Sequence, residues 1–218
     1  MASIITVNAQ KAPSAAAPVF DKGIVRGSIG LSLVSLLGFG LLYSLAGVGI
    51  GQALFPDAAD GSVIERDGKL VGSALVAQPF VGDGYFRPRP SAAGYNPMSL
   101  AGSNQARTNP DLRKRLEEAR TAVAQREAVD PSAVPGDLFT QSGGGADPHI
   151  SPAGAALQIE RVARARGLGR DVVERLVAAH TEGKQLGLFG QPRVHVLKLN
   201  LALDVASAAA TATPPGGP

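Results

Sequence analysis

Residues 27–56 read "GSIGLSLVSLLGFGLLYSLAGVGIGQALFP" and contain no charged side chain. A bilayer core of ~30 Å needs about 20 helical residues at ~1.5 Å each. This run exceeds that need and is rich in Leu, Val and Ile, so it reads as a membrane span. Ser44-Leu45-Ala46 loosely resembles a signal-peptide cleavage site, but a signal's apolar region is only ~7–15 residues long. The apolar stretch here continues well past Ala46, and the run is read as an uncleaved anchor.

The flanks of the run set its orientation. Lys11, Lys22 and Arg26 precede it with one acid, Asp21, among them. Beyond it Arg66 and Lys69 stand among Asp57, Asp60, Glu65 and Asp67. Orientation follows Lys and Arg near the span and largely ignores acids. With Arg26 at the boundary, the N-terminus is expected in the cytoplasm and residues 57–204 outside it.

The 218-residue chain has room for one ordinary domain beyond the span. Hydrophobic residues make up 44% and charged residues 18%, which suits a globular or membrane-tethered protein. A formal charge of +3 gives no electrostatic footprint for nucleic acid. The absence of cysteine excludes a disulfide framework and a thiolate metal site. The expected organisation is a flexible leader over 1–22, a transmembrane region over 23–56, an α+β domain over 57–204 and a disordered Ala-, Pro- and Gly-rich tail over 205–218.

Within the domain, residues 62–78 read as two strands around the turn pair Asp67-Gly68. Residues 85–110 form a long loop, because prolines at 88, 90, 97 and 110 forbid a continuous helix or central strand. Asn109-Pro110-Asp111 starts a helix with Leu112, Leu116, Ala119 and Val123 on one face. Ser151-Pro152 starts a second helix, which Gly167 stops. A third runs over about 170–181, with Val173, Leu176, Val177 and His180 on one face. The alternation in "RVHVLKLNLALD", 193–204, predicts a half-buried strand.

One stretch asks for chemistry: "QSGGGADPHIS", residues 141–151. A phosphate loop of the Walker kind needs a lysine and a following Ser or Thr, and this loop has no lysine. Ser142, Asp147 and His149 are the residue types of a hydrolase triad, but no strand–Gly-x-Ser-x-Gly–helix elbow surrounds the serine. An anchored extracytoplasmic hydrolase built on these three is the competing functional reading. The bland reading is a structural corner. Asp147 accepts N–H bonds from the turn through Pro148, Ser151 caps the next helix, and Ser142, Gly143 and His149 serve the loop. The remaining histidines, 180 and 195, form no paired metal motif and read as satisfied core residues. Arginines 161, 164, 166 and 170 interleave with Glu160, Asp171 and Glu174 and read as a solvated helix face. In the span, Gly40, Ser44, Gly47 and Gly51 recur at spacings of four, three and four. Such a stripe of small residues lets a second helix approach closely and is read as a subunit contact.

Taken in order, "LFPDAADGSVI", "DGKLVGSALVAQ", "YFRPRPSAAGYN", "GSNQARTNPDL", "SGGGADPHISPAGA", "RVARARGL" and "HTEGKQLGLFGQPRVHVLKLNLALD" resemble one family over about residues 24–204. It is the C subunit (KdpC) of the bacterial Kdp potassium-transporting P-type ATPase. Three departures stand out: Ser44 where a proline usually follows the tyrosine, Gly145-Ala146 where Gly-Leu is usual, and His195 where Asn is usual. The resemblance implies a single-pass accessory subunit of the bacterial inner membrane, with no catalytic, cofactor or metal site of its own. Its implied partners are a channel-like potassium-binding subunit, an ATP-hydrolysing subunit and a very small membrane peptide. The complex as a whole would use ATP, Mg and potassium. The family is also described as a catalytic chaperone that raises the affinity of the hydrolysing subunit for ATP. The topology expected here puts the glycine loop outside, away from cytoplasmic ATP, so such an effect would be indirect.

Overall fold

The computed structural model describes residues 22–212. The leader therefore lies outside the described residues apart from Lys22, as do residues 213–218 of the tail. The chain divides into two compact units, residues 1–56 and 57–218.

The described part of the first unit is one helix, Gly23–Leu54, of 32 residues. At ~1.5 Å per residue it is about 48 Å long, more than a bilayer core requires. It comprises α1 (Lys22–Ser35), a π-helical stretch (Leu36–Leu42) and α2 (Tyr43–Leu54). In the wider turn the Tyr43 N–H reaches back five residues to the Gly38 carbonyl. This interruption ends at Leu42, two residues before Ser44. None of the span is buried within the chain. A helix apolar on every side needs lipid or other helices around it.

The second unit begins within the short α3 (Pro56–Ala59), which is followed by a hairpin of β1 (Val63–Arg66) and β2 (Lys69–Ser73). Asp67 and Gly68 both have positive φ, 53° and 70°, as a tight hairpin turn requires. After the long loop, α4 (Pro110–Glu127) opens with the Asn109 side chain accepting the Asp111 N–H at 2.9 Å. Next come β3 (His149–Ile150), α5 (Pro152–Arg166), α6 (Arg170–Ala179), β4 (Thr181–Glu182), β5 (Arg193–His195) and α7 (Val196–Ala212). Ser151 caps α5 through the Gly154 N–H, and Gly167 ends it at φ 64°. β5 is the centre of a small antiparallel sheet, ordered β3-β5-β4, that pairs His149 with His195 and Thr181 with Val194. Phe86, Ile150, Ile159, Val162, Val173, Val194, Leu199 and Leu203 join in one core. The fold is thus α+β after one N-terminal helix able to span a membrane.

The expected strand over 193–204 is corrected. Only Arg193–His195 is extended, and α7 follows at once. Val196, Leu199, Asn200 and Leu203 are all buried, at spacings of three, one and three. That is a helical face, and it includes Val196 and Asn200, which strict alternation would have turned outward. α7 continues to Ala212, so the first part of the expected tail is helical.

The arginine stretch is also corrected, because Arg161 is buried rather than solvated. Its Nε bonds both Glu127 carboxylate oxygens at 3.1 and 3.0 Å. Its other nitrogens reach the carbonyls of Asp83 and Tyr85 and the side chain of Gln158. Gln158 in turn accepts the Arg87 N–H at 2.8 Å. Asn200 brackets Phe86, accepting its N–H and donating to its carbonyl, each at 2.9 Å. A buried loop must have its peptide groups satisfied. Here Phe86 is buried and residues 84, 85 and 87 are half-buried; Gln158, Arg161 and Asn200 reach the main chain of Asp83, Tyr85, Phe86 and Arg87, and Arg166 takes the Gly84 carbonyl. Of the other three, Arg166 bonds Asp204 at 2.8 Å and packs over the Tyr85 ring, while Arg164 and Arg170 are exposed.

Candidate functional site

The glycine corner, 141–151, is clasped by the long loop that precedes α4. Ser142 is buried, and its N–H donates to the Pro90 carbonyl at 3.0 Å. The Ser91 hydroxyl donates to the Gly145 carbonyl, and the Ala77 N–H to the Ala146 carbonyl at 2.9 Å. Two glycines are demanded by close approach. A Cβ on Gly145, at φ +75°, would stand 2.6 Å from the Ala101 carbonyl oxygen. One on Gly102 would stand 2.5 Å from that of Gly143. Gly143 and Gly144, in contrast, have open space where a Cβ would go.

Asp147 organises the turn. One carboxylate oxygen accepts the His149 N–H at 3.0 Å, and the other accepts from Arg89 at 3.1 Å. Burial pushes its pKa up, but the His149 and Arg89 bonds outweigh that and hold it below the usual carboxylate value. Pro148 contributes its carbonyl to the Val196 N–H at 3.0 Å, tying the corner to the start of α7. Ser151 gives both its N–H and its hydroxyl to the Asp137 carboxylate, at 2.6 and 3.0 Å.

The three candidate triad residues are only partly brought together. The His149 Nδ1 lies 3.4 Å from an Asp147 oxygen, but its Nε2 faces Glu182 at 3.9 Å. The Ser142 hydroxyl instead receives the Asp147 main-chain N–H at 3.4 Å. His149 meets His195 edge to face, ring centres 5.1 Å apart. His195 is buried, with Nε2–H donating to the Ala74 carbonyl at 2.9 Å and Nδ1 accepting from Lys198 at 3.4 Å. Burial holds its pKa below the ordinary histidine value. It is the satisfied core histidine expected from sequence. His180 is satisfied too, by the Leu176 carbonyl at 2.8 Å, but it is only half-buried at the end of α6. A shallow cleft of about 230 Å³ opens beside the corner, lined by Arg89, Asp137, Asp147, His149, Gln191 and Arg193. Its arginines are already paired, Arg89 with Asp147 and Arg193 with Glu182 at 2.8 Å, and the Asp137 carboxylate accepts from Ser151.

Sequence reasoning missed the residues that hold the corner's surroundings in place: Asp137, Gln158, Arg161 and Asn200. The available signal was a polar residue at a helical core position, legible for Asn200 only once 196–212 is known to be helix. In the span, a Cβ on Gly40, Gly47 or Gly51 would meet nothing within 4 Å, so this face is open within the chain.

Comparison with known proteins places these features. The family model described as K+-transporting ATPase, c chain (KdpC), matches residues 25–205. A potassium-transporting ATPase KdpC subunit of Xanthomonas campestris pv. campestris is 56% identical over 191 residues, 88% of this chain and 91% of that one. The KdpC subunit of Shewanella putrefaciens is 51% identical over 173 residues, 79% and 87% of the two chains. That of Burkholderia ambifaria is 48% identical over 192 residues, 86% and 99%. The match runs from near the start of the N-terminal apolar helix into α7 and takes in the glycine corner whole, so this chain belongs to the KdpC family, the c chain of K+-transporting ATPases.

Proposed function

We propose that this chain is the accessory C subunit of an ATP-driven potassium importer, and that it stabilises assembly of the complex rather than performing chemistry. The observation that carries this reading is the family match over 25–205. The geometry of the corner supports it. The Ser142 hydroxyl, the Asp147 carboxylate and the Gly145 and Ala146 carbonyls are engaged inside the domain. In this reading the partners are a channel-like potassium-binding subunit, an ATP-hydrolysing P-type subunit and a small membrane peptide. ATP, Mg and potassium are bound by those partners.

In the same reading the chain crosses the bacterial inner membrane once, with Arg26 on the cytoplasmic side and 57–212 outside. The Gly40–Ser44–Gly47–Gly51 stripe then packs against a partner helix. An effect on ATP affinity travels through the complex, as a difference in how this subunit binds two states of it. Purification of the tagged full chain in mild detergent tests the assignment. A P-type ATPase and a potassium-channel-like protein should co-purify, and their absence would refute it.

A further inference from the structure

A second cavity, of about 290 Å³, lies between the long loop and α4. Phe80, Pro88, Pro90, Tyr95 and Leu138 give it largely apolar walls. The Tyr95 hydroxyl is engaged, donating to the Arg89 carbonyl at 2.9 Å. Two arginines, Arg87 and Arg126, also line the cavity, with side chains 30% and 22% exposed. Their hydrogen bonding is incomplete among the described residues. Of the Arg87 nitrogens only Nη2 has an acceptor, the Val81 carbonyl at 2.7 Å, and its Nε is buried without one. Arg126 bonds through Nε alone, to Glu127 at 2.7 Å. Glu127 is fully buried and shared, since Arg161 takes both of its oxygens. A second acid, Asp83, stands 3.6 Å from Arg87 but is 69% exposed, where water screens it. Three cations therefore face one buried and one screened carboxylate. Burial, and then the charges of Arg126 and Arg161, hold the Arg87 pKa below its ordinary value.

The geometry points to this cavity as a binding site for a small organic monocarboxylate whose apolar body is the size of a single ring. Charge selects a monoanion. Arg87, Arg126 and Arg161 against Glu127 and Asp83 leave an excess of one positive charge, whereas a phosphate monoester carries about −1.5 to −2. Donor geometry selects a carboxylate, whose two oxygens match the parallel N–H groups of a guanidinium fork. Volume limits the body. A cavity of ~150 Å³ takes benzene, and pockets for drug-sized ligands start at roughly 300 Å³. The space between the loop and α4 thus suits a ring with a short acid arm and is small for a nucleotide or a lipid chain. Apolar walls shelter the ring and strengthen the ion pair beside it. The inference concerns the domain itself and does not depend on which subunits surround it.

Calorimetric titration of the full chain in a neutral detergent tests it, with phenylacetate as the probe. Phenylacetate should bind saturably. 2-Phenylethanol, of the same size but uncharged, should bind about tenfold more weakly or worse, and phenyl phosphate no more tightly than phenylacetate. Arg87→Gln and Arg126→Gln should each weaken phenylacetate binding about tenfold. Arg113→Gln removes the same charge from an exposed position on α4 and should leave binding unchanged. No saturation by about 10 mM phenylacetate would overturn the inference. Equal binding of the alcohol, tighter binding of phenyl phosphate, or an equal loss in Arg113→Gln would overturn it as well. The three probes are compared on the unaltered chain, so the inference stays falsifiable even where an arginine variant fails to fold.

Discussion

His195 is the residue at which the chemistry of this chain departs most usefully from its family resemblance. The ring is buried, donates to Ala74 and accepts from Lys198, a pattern only one neutral tautomer satisfies. Burial, the largest influence, depresses its pKa, with the Ala74 bond pulling the other way. The unfolded chain therefore takes up a proton here at higher pH than the folded chain does. The ring's contribution to stability is present above about pH 6.5 and is lost as the pH falls below it. Asp147 shifts in the same direction, and its contribution is lost only in the acid range below the ordinary carboxylate value. We predict that melting temperature falls as pH drops from 7 to 5, and that His195→Asn removes most of that fall, since an amide does not titrate in this range. An identical pH slope in the two proteins would show that the dependence arises elsewhere.

At the scale of elements, the corner divides its glycines into required and dispensable ones. Gly145→Ala meets the Ala101 carbonyl at a positive φ and should cost about 1–3 kcal/mol in denaturant unfolding. Gly143→Ala enters open space and should stay within about 0.5 kcal/mol. Equal tolerance of both would mean that the long loop does not press on the corner as described. For the span, Gly47→Leu should cause loss of this subunit from the complex in detergent while Leu42→Ile does not. A leucine fills the groove that a neighbouring helix would use, yet leaves insertion undisturbed. Retention of both would place the stripe against lipid. Helix starts, the first hairpin and the apolar span were legible in the sequence because caps, turn pairs and hydropathy act locally. Residues 193–204 were not. Leucines at 197, 199, 201 and 203 satisfy a strand's period, and four apolar positions on that spacing outweighed the helix-forming character of Leu, Ala and Lys. The burial of Arg161 was equally hidden, because its partners Glu127, Asp83 and Tyr85 lie far away in sequence.

For the whole molecule, topology is the property on which the functional reading turns. The exposed Ala208 on α7 offers a test, since the chain has no cysteine. Ala208→Cys should react with an impermeant thiol reagent in cells stripped of their outer barrier, and labelling only after lysis would reverse the orientation. The lacing of residues 83–87 has a further consequence, which concerns time. Its bonds join positions 71 to 114 residues apart. A chain emerging at roughly 5–20 residues per second leaves this segment waiting about 4–23 s for Gln158 and Asn200. Until then its peptide groups have none of these partners, and the domain must be completed from its C-terminal end. Chains truncated before Gln158 should be cut by protease at Arg87, whereas chains ending just after Ala212 should resist. A domain completed in that order presents its finished form only after its last helix has been delivered, so a prematurely terminated copy cannot occupy its place in an assembly.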